Sequence, residues 1–288
     1  MKNVSELYNK YPGSDIYVVG TGTSFRVFPL SFLENKITIG LNMAWKLLPL
    51  KYCITMVPHL NCPEFMGEEV LPDMTWVTKY DKYRSHAMPA QLAYAEASYY
   101  FFRTDGKASF TLLDQPSEGG RVLDWVRRPT ENFLYLWTSI SQSAVNLAAN
   151  MGAKNIILVG CDNCALADNH HAHEQHTYWK GEDPNIRYMQ YYEGLAEMRS
   201  VLVDRGINLV SVSPFLKLDQ PALDFGRLCT EQGKPKFVHG HNLTMRSSLW
   251  DDNAHLVRLS FHLMRRNYKA AKNRMARLLR GQHSDAIG

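Results

Sequence analysis

Short, uninterrupted apolar runs punctuate the first two hundred or so residues, and each stops at a polar or glycine-bearing turn. Ile16-Tyr17-Val18-Val19 runs into Gly20-Thr21-Gly22-Thr23-Ser24, which predicts a strand over 15–20 and a short helix or turn after Ser24. A second strand over 36–41 ends at Asn42, with a short helical stretch through Trp45, and a third over 52–57 closes at Pro58-His59. Further along, 133–137 reads as a strand and a small-residue helix from about Ser141 stops at Gly152. The run over 155–160 then delivers Asp162 to a strand's carboxyl end. A helix over 184–205, opened by Pro184 and stopped by Gly206, leads to a last strand over 207–212 before Pro214. Strands exposed on one face alternate apolar and polar residues; continuous apolar runs belong to a parallel sheet covered on both faces. Strands alternating with helices predict an α/β fold, a Rossmann-like, mostly parallel sheet with helices on both faces.

Residues 60–130 break this rhythm. Candidate strands at 75–79 and 109–113 sit among scattered proline, glycine and aromatic residues, which reads as an irregular insertion or lid. The pattern predicts one Rossmann-like domain over 1–215, whose sheet edge is expected to seat a nucleotide and the catalytic groups, and a C-terminal extension over 216–288. Charge adds to that division. The net charge is only +4, yet from Asp251 onward eight Lys or Arg stand against three Asp. Over 253–280, Leu256, Leu263, Tyr268, Ala271, Met275 and Leu278 fall at helical spacing, while Arg258, Arg265, Lys269, Lys272 and Arg280 gather on another face. A basic amphipathic helix of this kind lies on an anionic membrane surface or on nucleic acid, or docks on its own domain or a second copy in a homo-oligomer.

Composition removes several classes. An apolar fraction of 45% is ordinary for a globular chain. No apolar run approaches the roughly 20 residues that span a bilayer. The N-terminal residues lack the apolar core of a signal peptide, so a cytoplasmic location is expected, peripheral at the membrane where the tail docks there. Five cysteines without an export signal fit reduced thiols. Cys161 and Cys164 form a lone pair followed by His170, His171, His173 and His176. The pair is read as a strand-end thiol rather than a zinc site, and no metal ligand set is expected.

The candidate chemistry gathers at the strand ends. The Gly20-Thr21-Gly22-Thr23-Ser24 loop can bring its backbone close to a phosphate, or can be a simple tight turn. Asn42 can read a base or sugar through its carboxamide, or cap the short helix that follows. Thr138 and Ser139 can touch a phosphate, with helix capping as the default reading. Asp162 can meet a ribose, a substrate hydroxyl or a metal. The segment 168–178 holds four histidines within seven residues and is the strongest candidate for acid–base chemistry. His176 is favoured as general base because Tyr178 and Trp179 beside it can pack on a substrate; His173 is second.

These motifs together resemble small bacterial sialyltransferases. That family opens with a strand and a Gly-Asn-Gly-Pro-Ser loop, then a second strand ending in Asn. Later it carries a Thr-Ser-Gly helix and Gly-Tyr-Lys-Ile-Tyr-Leu-x-Gly-Ile-Asp. The matching stretches here are Gly20-Thr-Gly-Thr-Ser24, Ile39-Gly-Leu-Asn42, Thr138-Ser139-Ile140 and Gly152-Ala-Lys-Asn-Ile-Ile-Leu-Val-Gly-Cys-Asp162. A similar pattern marks motility-accessory flagellin glycosyltransferases and 6-hydroxymethylpterin pyrophosphokinases. The chain departs from the first family at Thr21, at Asn163 and Cys164 where tyrosines stand, and at Val57-Pro58, with Asn61 nearby. The resemblance implies a glycosyltransferase that moves a sugar, sialic-acid-like or other, from a nucleotide-activated donor to the hydroxyl of a glycan or other acceptor. The nucleotide would be held by Gly20, Thr21, Gly22, Thr23, Ser24, Asn42, Thr138 and Ser139, with no cofactor beyond the donor and no metal. One alternative is ATP- and Mg²⁺-dependent pyrophosphoryl transfer to a pterin-like alcohol, with Asp162 and Asp168 as metal ligands. Another is a non-catalytic nucleotide-binding module that docks through its basic tail.

Overall fold

The computed structural model describes residues 1–68, 73–104, 123–137, 139–162, 172 and 184–212. The apolar runs form one sheet of eight parallel strands: β1 (Lys2–Asn3), β2 (Asp15–Val19), β3 (Ile37–Leu41), β4 (Tyr52–Thr55), β5 (Thr75–Lys79), β6 (Tyr100–Phe102), β7 (Asn155–Val159) and β8 (Asn208–Ser211). Their order is β1-β6-β5-β4-β3-β2-β7-β8. From β2 the chain steps outward strand by strand to β6, then returns to lay β7 against the other side of β2, with Asp15 opposite Asn155 and Val19 opposite Val159. The winding reverses between β2 and β7, which makes the sheet doubly wound.

Successive strand residues point to opposite faces, and both faces are buried. Ile16, Val18, Ile39, Leu41, Ile54, Ile156 and Leu158 join one apolar cluster; Tyr17, Val19, Cys53, Trp76, Ile157 and Val159 join the other. The first is covered by α6 (Ile140–Asn150) and by α7 (Pro184–Val203), through Leu195, Met198 and Leu202 of the latter. The second is covered by short 3-10 turns carrying Phe25, Phe28, Leu33 and Trp45, by Tyr83 of α3 (Tyr80–His86) and by Ala95 of α4 (Pro89–Ser98). The other α-helices among the described residues are single turns: α1 (Pro58–Asn61), α2 (Pro63–Met66) and α5 (Asp124–Arg127). Among the described residues no helix is long and apolar enough to cross a membrane.

Two expectations change. The strand expected over 133–137 does not form; Phe133 makes a single parallel bridge to Arg103, and the backbone beyond it is served by side chains of α6 instead. Tyr135 N–H donates to Asn146 Oδ1 at 2.8 Å, Ser143 Oγ donates to the Tyr135 carbonyl at 2.9 Å, and Trp137 N–H donates to Gln142 Oε1 at 2.9 Å. Every residue of α6 is buried, and these polar ones stand there because they replace a strand's ladder partners. The second change concerns 60–130: residues 75–102 are no insertion, since they supply β5, β6 and the helices between them. Residues 69–72, the stretch 105–122 with its candidate strand at 109–113, and the extension over 216–288 with its basic helix lie outside the described residues.

Candidate functional site

In an open parallel sheet, ligands sit outside the carboxyl ends of the strands where the winding reverses. Here that place lies between the ends of β2 and β7. Gly20 N–H donates to the Val159 carbonyl at 2.8 Å and Gly22 N–H to the Gly160 carbonyl at 2.7 Å, so the two strands stay paired one step past the sheet. The approach is too close for a side chain: a Cβ on Gly20 would stand 2.5 Å from the Gly160 oxygen, and one on Gly22 2.6 Å from Asp162 Cγ and from the same oxygen. Asp162 is 2% exposed, and its Oδ2 accepts the Ser24 N–H at 2.7 Å while Oδ1 accepts the Ser24 hydroxyl. Gly20, Gly22, Ser24 and Asp162 are thus brought together as expected. Among the described residues the carboxylate latches the loop.

The histidine-bearing segment reaches this loop at one described point. Ala172, flanked in sequence by His171 and His173, donates its N–H to the Thr21 carbonyl at 2.6 Å, and its own carbonyl accepts Arg26 Nε at 3.0 Å. Thr23 opens the 3-10 turn Thr23–Val27 that follows the loop. His173, His176, Asp168 and Thr138 lie outside the described residues.

One strand further along the edge, Asn42 takes a left-handed backbone with φ of 51° at the end of β3, a conformation asparagine tolerates better than most residues. Its Oδ1 accepts the Thr55 hydroxyl at 3.0 Å, and Asn61 Nδ2 donates to Thr55 Oγ1 and to the Val57 carbonyl, each at 3.0 Å. The network ties the ends of β3 and β4 to α1. Asn42 is half-buried, and its Nδ2 makes no hydrogen bond among the described residues. Ser139 caps α6: its Oγ accepts the Ser141 N–H at 3.2 Å, and Gln142 Oε1 accepts the Ser139 N–H at 3.3 Å. Because α6 leads into the amino end of β7 and its 11 residues span about 16 Å, its capped end lies at the same sheet edge as the loop.

The structure adds groups that the sequence reading passed over. His59 on α1 and His86 on α3 face each other with ring centroids 4.0 Å apart and planes tilted by 40°. Burial, then the nearby His86 and Lys82, hold the His59 imidazole below its ordinary value. Burial pushes the Glu64 carboxyl up to about 7, and neither of its oxygens bonds another residue among the described ones. Cys161 is buried, and burial, then Asp162, push its thiol up to about 12, as suits a packed strand-end thiol rather than a thiolate.

Glu64 sets a pH dependence. Its folded-state value lies above the ordinary 4.5, so the fold favours the protonated form. The stability this contributes is complete below about pH 4.5 and is lost as pH rises through about 7. Glu64→Gln is expected to melt at a higher temperature than the parent at pH 8 and near the same temperature at pH 5. Parallel melting curves across that range would rule out this role for Glu64.

No known protein family, no curated protein and no solved structure matches the chain. Fold and site together define its class: a Rossmann-like α/β protein whose candidate cleft lies at the winding reversal of a parallel sheet.

Proposed function

We propose that the chain is a glycosyltransferase that moves a sugar from a nucleotide-activated donor to an acceptor hydroxyl. The observation that carries this reading is the Gly20–Ser24 loop, closed onto Gly160–Asp162 where the winding reverses. The two glycines let the loop close on Gly160 and Asp162 at the carboxyl edge, where open parallel sheets seat ligands, and the Asn42 amide donors on the next strand, unengaged among the described residues, are offered to the base or sugar. A histidine takes the proton of the acceptor hydroxyl as its oxygen attacks the anomeric carbon. From the sequence His176 is the first candidate and His173 the second. The pyrophosphoryl-transfer alternative asks Asp162 to hold Mg²⁺, and the bonds from Ser24 already engage that carboxylate.

Thermal melting against CMP, CMP-sialic acid, UDP- and GDP-sugars and ATP, each with Mg²⁺ and with EDTA, tests the reading. A ligand that binds only the folded chain stabilises it by about 2.7 kcal/mol at 100 times its Kd. A nucleotide or its sugar that raises the midpoint in EDTA is the expected result. A rise with ATP alone that needs Mg²⁺ would transfer the assignment to pyrophosphoryl transfer. No rise with any of them would leave the chain without a nucleotide role.

A further inference from the structure

We propose that Arg103, braced on Tyr80 at the carboxyl ends of β5 and β6, is a binding site for an oxyanion, a carboxylate or phosphate group carried by the acceptor. The anion site stands on its own geometry; only its assignment to the acceptor rests on the transferase reading above. Arg103 follows β6 directly, and Tyr80 follows β5 and opens α3, so both lie at the carboxyl edge of the sheet. Open parallel sheets seat their ligands along that edge. β6 lies four strands from β2, which at about 4.8 Å per strand puts it about 19 Å along the edge from the Gly20 loop. An anion held at Arg103 is therefore not the phosphate held by the loop. With the loop serving the donor, the second anion falls to the acceptor.

The arginine is held in place without being used up. Its N–H donates to the Asn132 carbonyl at 2.7 Å, and its carbonyl accepts the Leu134 N–H at 3.0 Å. Its guanidinium carbon stands 5.4 Å from the centre of the Tyr80 ring. That ring is itself fixed: it meets Phe101 edge-on, with centroids 6.0 Å apart and planes at 89°, and its hydroxyl oxygen accepts Arg84 Nη1 at 3.0 Å. An aromatic ring restrains a guanidinium without engaging any of its five N–H donors. The planar fork is left free to meet two oxygens of one anion.

The surrounding charges leave Arg103 uncompensated. The ends of β5 and β6 and the helices α3 and α4 bring four cations, Lys79, Lys82, Arg84 and Arg103, against two acids, Asp81 and Glu96. Asp81 pairs with Lys79 at 3.1 Å, and Glu96 with Arg84 at 3.7 Å. Among the described residues no carboxylate pairs with Arg103, and the residue is exposed. The Arg84 guanidinium, 5.5 Å from the centre of the same ring, adds a second positive charge beside it. An incoming oxyanion meets a net positive field and a preset pair of donors, and no ion pair has to break to admit it.

The test uses the whole chain and measures the Kd of methyl β-glucuronide and of glucose 6-phosphate, with methyl β-glucoside as the neutral control, at constant ionic strength. The parent is expected to bind at least one anionic sugar about tenfold or more tighter than the neutral one, the usual worth of a hydrogen bond to a charged group. The sugar that gains, or both, names the anion as carboxylate or phosphate. Arg103→Gln is expected to erase that preference while the nucleotide Kd stays within about twofold of the parent. Arg103→Lys, which keeps the charge but not the fork, is expected to lose most of it. Gly22→Ala should show the reverse pattern, with the nucleotide response lost and the anion preference kept. The proposal is overturned by a parent that prefers neither anionic sugar, by Arg103→Gln or Arg103→Lys binding them as the parent does, or by Gly22→Ala abolishing the preference, which would move the anion to the glycine loop. A nucleotide panel without any melting shift overturns the transferase reading alone, since the anion measurements need no donor.

Discussion

Replacing Asn146 by alanine is expected to lower stability by about 2–5 kcal/mol, one of the two largest effects foreseen for a single substitution. The side chain is fully buried in α6 and serves two backbone groups of other segments. Its Oδ1 accepts Tyr135 N–H at 2.8 Å, and its Nδ2 donates to the Trp125 carbonyl at 3.0 Å. Alanine orphans the buried Tyr135 N–H and the half-buried Trp125 carbonyl, at about 1–3 kcal/mol each. Asn146→Leu should be nearly as costly, because it restores volume but neither hydrogen bond. Urea unfolding at constant m-value measures the loss. A change below 1 kcal/mol for both variants would mean that 133–137 finds other partners.

Gly22→Ala is expected to cost about 2–4 kcal/mol and to remove whatever melting shift the nucleotide panel produces in the parent. The added Cβ would stand 2.6 Å from Asp162 Cγ and from the Gly160 oxygen, so the loop must move off β7. Moving it breaks the Gly22–Gly160 bond and both bonds between Ser24 and Asp162, and leaves a buried carboxylate with fewer donors. Gly67 provides the control. It has a left-handed φ of 71° but nothing within 4 Å of an added Cβ, so Gly67→Ala costs only the backbone term of about 1–2 kcal/mol and leaves ligand response intact. Equal responses of the two variants to nucleotide would sever the link between loop closure and binding.

Much of the fold was legible because apolar runs such as 16–19, 37–41 and 155–159 are long enough to bury both faces of a strand. β1 and β6, of two and three residues, carry too little pattern to be read. The aromatic run at 133–137 imitates a strand, and the polar residues that serve its backbone lie on α6, where only the folded chain connects them. The site divides in the same way. The Gly20–Ser24 loop and Asp162 were each visible as punctuation at a strand end. That Ser24 and Asp162 hold one another was not, since 138 residues separate them. His86 and Glu64 were missed, and His59 was read only as the end of a strand, for a related reason: the pairing of His59 with His86 arises only when α1 and α3 come together.

The pairing of β2 with β7 also dictates when the cleft comes into being. β2 meets β3, and β3, β4, β5 and β6 meet in turn, through connections of a few tens of residues, but the other neighbour of β2 lies about 140 residues away along the chain. Contacts so distant in sequence close slowly, because chain entropy must be lost before they reward it. The half-sheet from β2 to β6 can assemble while β7 is still unjoined, and in that species the glycine loop faces no partner. The cleft is therefore completed only when β7 joins, which is expected to be a late step of folding. A ligand that seats there binds no earlier intermediate and acts on the unfolding rate, lengthening the lifetime of the finished chain rather than hastening its formation.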